Sequence, residues 1–132
     1  MGSDDGHVVR EAASDDELAV RRLLDGALLE RPEDLPARIG AGDVLVSVNP
    51  SEREAEGTVT GALVLDGSRV AAVAVRRRRR GRGVGSALVR AAAARVDDHL
   101  TAEFRADVRP FYESLGFEIR RTDDDRLRGR LG

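Results

Sequence analysis

Two short segments of the chain carry residues whose types and spacing could perform chemistry. In the first, an apolar stretch ending at Val75 leads through five arginines at 76–80 into the glycine-rich run 81–86, GRGVGS. Glycine lets a ligand approach the bare backbone. The first N–H groups of a helix lack internal partners and lie at the positive end of its dipole, where an anion binds readily. This segment therefore predicts a diphosphate-binding loop between a strand and a helix.

The glycine spacing narrows the class of phosphate ligand. A Walker loop needs a lysine after its last glycine, whereas all 22 basic residues of this chain are arginine. A dinucleotide fingerprint needs a third glycine where this chain has Ser86. Both ligand classes are therefore disfavoured. Arg80 and Arg82 can add charge-assisted hydrogen bonds to a phosphate, each contributing about 1.5–3 kcal/mol where water is excluded.

The arginine and glycine spacing of Arg80, Gly83 and Gly85 (R-x-x-G-x-G) resembles the coenzyme A loop of the GNAT acetyltransferase superfamily. The second segment, PFYESLGFE at 110–118, is similar to the C-terminal FYe-x-x-GFe signature of the same family. The two motifs follow one another in the family's order and at about its spacing. The resemblance covers roughly residues 69–118.

The resemblance implies a role for each matching position. The N–H groups of 81–86 should hold the diphosphate of acetyl-coenzyme A, and the strand edge at Val73 and Val75 should pair with the pantetheine arm. An N–H near Val73 should polarise the thioester carbonyl, and Tyr112 should protonate the leaving thiolate. The coenzyme A-binding residues implied in this way are Val73, Ala74, Val75, Arg80, Gly81, Arg82, Gly83, Val84, Gly85 and Ser86.

The implied reaction is transfer of an acetyl group from acetyl-coenzyme A to a primary amine, by direct attack through a tetrahedral intermediate. Positioning of both reactants and a backbone oxyanion donor supply much of the rate in such a reaction. A lysine-type amine titrates near pH ~10.4, so a base must take its proton before attack. Glu103 and Asp107 are the candidates, because the apolar alternation from Ala102 to Val108 puts both on the polar face of one predicted strand.

The elements that position these residues follow from hydrophobic periodicity and turn residues. Strands are predicted at 7–12, 44–48, 58–65, 69–75 and 102–108, with a tight turn at Asp66-Gly67 and a final hairpin of 117–121 and 127–131. Helices are predicted from Ser14 with a Ser14–Glu17 capping box, at 32–39 with Pro32 in the first turn, from Val84 to about Asp97, and at 110–115. The resemblance implies an α/β (α+β) fold, with a mixed, mostly antiparallel, splayed sheet of six to seven strands and about four helices on both faces.

Length and composition bound the class of protein. A chain of 132 residues predicts a single domain over 1–132, which the resemblance makes an N-acetyltransferase domain, with disorder expected at 1–6. The absence of cysteine excludes disulfides and thiolate sites, and His7 and His99 lack ligand spacing, so no metal is expected. The N-terminus shows no signal-like apolar stretch, and no segment has the length of a membrane span. We therefore expect a cytoplasmic protein without a membrane partner.

Charge is unevenly distributed between the two halves of the chain. Residues 1–68 hold 6 Arg against 15 acids, a net charge of −9, whereas residues 69–132 hold 16 Arg against 9 acids, a net charge of +7. The basic half suits an anionic ligand, and the acidic half could attract a cationic amine. The expected partner is a small-molecule or peptide amine: a protein N-terminus, a lysine, a polyamine, an amino acid or an aminoglycoside-like amine. A homodimer is compatible with the family.

Two other functions compete with the enzyme. A nucleic-acid-binding protein using Arg76–Arg80 would explain the basic half, but not Gly83, Gly85 or the segment 110–118. Nucleic acid is therefore the less favoured partner. A coenzyme A-binding, GNAT-like regulatory or partner protein without turnover would keep the loop and lose the chemistry.

Overall fold

The computed structural model describes residues 8–26, 34–48, 59–76, 83–122 and 125–132. The strands in these ranges are β1 Val8–Glu11, β2 Val44–Val48, β3 Val59–Asp66, β4 Arg69–Val75, β5 Leu100–Arg105, β6 Glu118–Arg121 and β7 Arg126–Leu131. The α-helices are α1 Glu17–Gly26, α2 Leu35–Gly40, α3 Val84–Arg95 and α4 Arg109–Ser114. Short 3-10 turns at Ser14–Asp16 and Ala106–Val108 lead into α1 and α4. Within the described ranges, no helix has both the length and the apolar character needed to cross a membrane.

The described strands form one seven-stranded sheet in the order β1-β2-β3-β4-β5-β7-β6. Neighbouring strands are antiparallel except β4 and β5, which are parallel and joined through the crossover helix α3. The turn between β3 and β4 holds Gly67 at φ +64, a conformation that glycine adopts at no steric cost. The predicted mixed, mostly antiparallel sheet, the Asp66-Gly67 turn and the final hairpin are confirmed.

Helices cover both faces of the sheet, as predicted. Each face of the sheet carries its own apolar cluster. One cluster joins Val20 and Leu24 of α1 and Leu35 and Ile39 of α2 to inward residues of β2, β3 and β4. The other joins Val84, Leu88, Val89 and Ala92 of α3 to Leu63 of β3, Phe104 of β5 and Tyr112 of α4. The first helices therefore lie on one face and the last two on the other.

The sheet opens between β4 and β5. Their register holds only two pairs, Arg69 with Thr101 and Val70 with Ala102, although both strands continue beyond it. A bulge in β4 follows at once, because Val70 and Ala72 face consecutive residues of β3 and leave Ala71 as the extra residue. A bulge bends the strand and increases its twist. The bulge therefore accounts for the gap that separates the carboxyl ends of β4 and β5, and the predicted splay is confirmed.

The start of α1 differs from the prediction. The Ser14–Glu17 capping box is wrong, because the carboxylate of Asp16 instead accepts the Ala13 N–H at 2.8 Å. Arg10 donates to the same carboxylate at 2.7 and 3.3 Å. These donors lower the pKa of Asp16 although burial alone would raise it. The carboxylate thus joins β1 to the first helical turn.

The predictions for the N-terminus and for the start of the second helix remain. Residues 1–6 and Pro32 lie outside the described ranges. The second helix begins at Leu35, and Pro36 occupies its first turn, where a missing N–H costs nothing.

Candidate functional site

The gap between β4 and β5 is lined by backbone groups of β4. Arg76 donates its N–H to Thr60 O of β3 at 2.8 Å. Because successive N–H groups of a strand point to opposite sides, those of Val73 and Val75 point away from β3 and toward the gap. The bulge at Ala71 precedes this stretch and does not alter its alternation. The N–H groups predicted to pair with the pantetheine arm and to polarise the thioester carbonyl therefore lie along the gap. The N–H of Ala74, between Val73 and Val75, points toward β3 instead.

The start of α3 lies just beyond the end of β4. Gly83 precedes the helix with φ +84 and ψ 6, and its carbonyl accepts the Ala87 N–H at 3.0 Å. A Cβ at Gly83 would meet no atom within 4 Å, so the left-handed backbone and not lack of space requires glycine here. The N–H groups of Val84, Gly85 and Ser86 belong to the first turn, whose donors have no intrahelical acceptor. Predicted residues Arg80, Gly81 and Arg82 lie outside the described residues.

Both sequence motifs meet at Gly85. A Cβ at this position would lie 3.3 Å from Cε1 and Cζ of Phe111 and 3.7 Å from Val75 Cγ2. The end of β4, the first turn of α3 and the start of α4 therefore converge at the mouth of the gap. Glycine at this position is explained by contact with an aromatic ring, in addition to any approach of a ligand.

Tyr112 lies in an aromatic cluster beside the gap. Its ring stacks on Phe104 with centroids 4.1 Å apart and meets Phe111 and Phe117 edge-on at 4.9 and 5.2 Å. Phe104 lies two positions beyond Ala102, the last residue of β5 that pairs with β4. The phenol therefore lies on the α3 face of the sheet, where the two strands have parted.

Burial sets the acidity of this phenol. Tyr112 is 5% exposed, and desolvation raises its pKa to about 12. Within the described part of the chain its hydroxyl has no hydrogen-bond partner, and the only fully enclosed side-chain nitrogen or oxygen without a partner is His99 Nδ1. The hydroxyl oxygen therefore keeps contact with solvent. At neutral pH it is a protonated donor that a ligand can reach.

The acidity of Tyr112 can be measured directly, because the chain has one Tyr and no Trp. We expect the phenol of the folded protein to ionise near pH 12 and that of the urea-unfolded chain near about 10, followed by ultraviolet absorbance. Between these values only the unfolded state releases its proton. The free energy of unfolding should therefore be unaffected below pH 10 and fall by about 2–3 kcal/mol as pH rises toward 12. Ionisation near pH 10 in a protein shown to be folded would contradict the burial.

The structure separates the two predicted base candidates. Glu103 lies on β5, one residue beyond the last pair with β4, and its Oε2 accepts from Arg128 of β7 at 2.9 Å. The prediction that Asp107 shares its face is wrong, because β5 ends at Arg105 and Asp107 lies in the 3-10 turn. The Ala106 N–H donates to Asp125 O at 3.2 Å as the chain leaves the strand. Of the two candidates, only Glu103 therefore lies beside the gap on the polar face of β5.

Sequence reasoning missed Gly61, a residue that positions the first turn of α3. A Cβ at Gly61 of β3 would lie 2.8 Å from Val84 Cγ1 and 3.1 Å from the carbonyl oxygen of Ala74. The bare backbone thus lets the first turn of α3 rest on the sheet. An isolated glycine inside an apolar strand signals close backbone approach. The sequence contains this signal, but it does not show which segment of the chain approaches Gly61.

The described residues hold no group of three or more His, Asp or Glu side chains that could bind a metal ion. The polar groups beside the gap are backbone N–H groups of β4, the phenol of Tyr112 and the carboxylate of Glu103.

Comparison with solved structures finds the same fold. Ard1 from Thermoplasma volcanium is 23% identical at a TM-score of 0.70, with 95% of this chain and 96% of that chain covered. Diaminobutyrate acetyltransferase EctA from Paenibacillus lautus, in complex with L-2,4-diaminobutyric acid and coenzyme A, is 15% identical at 0.66, with 96% and 94% covered. N-acetylglutamate synthase from Neisseria gonorrhoeae, complexed with coenzyme A and N-acetyl-glutamate, is 18% identical at 0.64, with 96% and 35% covered.

Comparison with curated protein sequences found no match. The family model described as an acetyltransferase (GNAT) domain matches residues 42–119, which is more than half of the chain and includes both motifs. The chain therefore belongs to the GNAT acetyltransferase family.

Proposed function

We propose that the protein transfers an acetyl group from acetyl-coenzyme A to a primary amine. The observation that carries this proposal is the convergence at Gly85, where the end of β4, the first turn of α3 and the helix bearing Tyr112 meet at one end of the gap. The family supports acyl transfer in general. Two proteins of similar fold are complexes with coenzyme A, which supports the same co-substrate here.

The chain's own residues can bind each part of this co-substrate. The N–H groups of Val84, Gly85 and Ser86, at the positive end of α3, suit a diphosphate. We assign Arg80, Gly81 and Arg82 to the same role from the sequence. Val73 offers backbone groups to an extended pantetheine arm, as an added strand would use them, and we assign Val75 to the same arm from the sequence.

The reaction needs charge stabilisation at two atoms. Attack of a neutral amine forms the new C–N bond and moves an electron pair onto the thioester oxygen, and we assign the Val73 N–H to stabilise that charge. Collapse of the tetrahedral intermediate re-forms the carbonyl, breaks the C–S bond and passes the extra proton of the bound nitrogen to the departing sulfur. Tyr112 then donates a hydrogen bond to the sulfur, on which negative charge develops.

The proton of the amine must leave before attack. Glu103 lies one residue past the last pair between β4 and β5, on the face opposite α3, and we assign it to this step, directly or through water. Its bond to Arg128 occupies one oxygen and fixes the carboxylate's orientation. Asp107 has no part in this proposal.

A thiol-release assay with acetyl-coenzyme A across an amine library tests the proposed function, with calorimetry of coenzyme A binding beside it. We expect binding without any amine, and free thiol only when an acceptor is present. Tight binding without thiol release for any amine would favour a coenzyme A-binding protein without turnover. Absence of both binding and release would contradict the enzyme, and titration with labelled DNA and RNA would then test the nucleic-acid alternative.

A further inference from the structure

The strands β5, β7 and β6 present an arginine-rich face. Leu100, Ala102 and Phe104 of β5 point into the cluster under α3, so the alternate residues point to the opposite face, the one that α1 and α2 cover farther along the sheet. Cross-strand partners lie on the same face. This exposed face holds Thr101, Glu103, Arg105, Glu118, Arg120, Arg126, Arg128 and Arg130.

Arg105 and Arg126 face each other directly at the carboxyl end of β5. Like charges in directly opposed positions destabilise a sheet unless a counter-charge lies between them. Glu103 already binds Arg128, and among the described residues neither Arg105 nor Arg126 has an ion pair or a side-chain hydrogen bond. Both side chains are thus exposed at directly opposed positions, without an anionic partner among the described residues.

The position of this pair relates it to the gap. Arg105 lies three residues past Ala102, so it is about 10 Å along β5 from the last pair with β4. The diphosphate site at the start of α3 lies on the other face of the sheet. Acetyl-coenzyme A bound on that face would reach the gap from one side. The side of Glu103 and Arg105 would then be left for the amine substrate.

We propose that Arg105 and Arg126 bind the carboxylate of the acceptor, so that the enzyme acetylates amines that also carry a carboxylate, as an α-amino acid does. The proposal rests on the proposed function and names its substrate class. A planar guanidinium matches a carboxylate in two-point hydrogen bonds. Glu103 lies two residues before Arg105 on the same face and provides the opposite charge for the amine.

The alternating charges favour this acceptor over a nucleic acid. A polyanion would meet the carboxylates of Glu103 and Glu118 on the same face. A small zwitterion instead finds a positive site and a negative site a few ångströms apart along one strand. The arrangement therefore complements a molecule with both an amine and a carboxylate.

The experiment compares a panel of α-amino acids with their carboxamides in the thiol-release assay, for the wild type and for Arg105→Gln, Arg126→Gln and the double variant. We expect the wild type to prefer the acids by about tenfold or more in kcat/KM, mainly through KM. The double variant should lose this preference and keep its affinity for acetyl-coenzyme A. Arg130→Gln is the matched control: it lies on the same face of β7, about 13 Å from Arg126, and should keep the preference.

The outcomes separate this inference from the proposed function. Equal use of acids and amides by the wild type, or a preference that survives in the double variant, would overturn the carboxylate site and leave the acetyltransferase in place. A preference lost equally in Arg130→Gln would also overturn it, because the effect would then come from the general charge of the face. Failure to bind acetyl-coenzyme A would overturn both.

Discussion

Gly85→Leu is expected to weaken coenzyme A binding at least about 100-fold. A Cβ at this position already lies 3.3 Å from Cε1 and Cζ of the Phe111 ring and 3.7 Å from Val75 Cγ2, so three further carbon atoms do not fit. Either α4 or the first turn of α3 must move. Since hydrogen bonds to a charged group contribute about 1.5–3 kcal/mol each, loss of two backbone donors to the diphosphate accounts for this factor. The measurement is calorimetric titration of folded variant and wild type with coenzyme A.

The control for this prediction is Gly40→Leu, because a Cβ at Gly40 would meet no atom within 4 Å. This variant should bind coenzyme A as the wild type does. We also expect Gly85→Leu to lower the free energy of unfolding by about 1–3 kcal/mol, because overpacking destabilises the folded state. Adding Phe111→Ala to Gly85→Leu removes the colliding ring and should restore part of the affinity. Wild-type affinity in Gly85→Leu would show that the first turn of α3 does not bind the diphosphate.

Local signals in the sequence were sufficient to predict the strands and helices around the site. The bounds of β4 follow from an apolar run placed between a Gly67 turn and an arginine cluster, and its structure matches the prediction from Arg69 to Val75. The two motifs identified the family because each combines residue types with a short, fixed spacing. Such patterns depend on neighbours in the chain, which the sequence displays directly.

The errors and omissions come from contacts between distant segments. The alternation of β5 continues through Ala106 and Val108, yet the strand ends at Arg105 and the chain enters the 3-10 turn that leads into α4. This turn removed Asp107 from the predicted face. The opposition of Arg105 and Arg126 depends on the register between β5 and β7. The hydrophobic pattern fixes which face each residue takes, but the offset between two strands that are not joined by a hairpin turn also depends on the rest of the fold.

Tyr112→Phe is expected to lower kcat by about 10- to 100-fold. A coenzyme A thiol resembles a cysteine thiol, with a pKa of about 8.5, whereas burial raises the pKa of Tyr112 to about 12. Complete transfer of the proton from phenol to thiolate is therefore uphill by roughly 5 kcal/mol. A hydrogen bond from the phenol to the developing thiolate avoids this cost, and a bond to a charged atom contributes about 1.5–3 kcal/mol, which corresponds to the expected range.

The test separates the hydroxyl from the ring that carries it. Phenylalanine keeps the stack on Phe104, so the affinity for acetyl-coenzyme A should stay within about threefold and the free energy of unfolding should hardly change. Phe117→Leu is the control, because it disturbs an edge contact of the same ring and keeps the hydroxyl. It should lower stability and leave kcat near that of the wild type. An unchanged kcat in Tyr112→Phe would mean that the sulfur leaves without this hydrogen-bond donor.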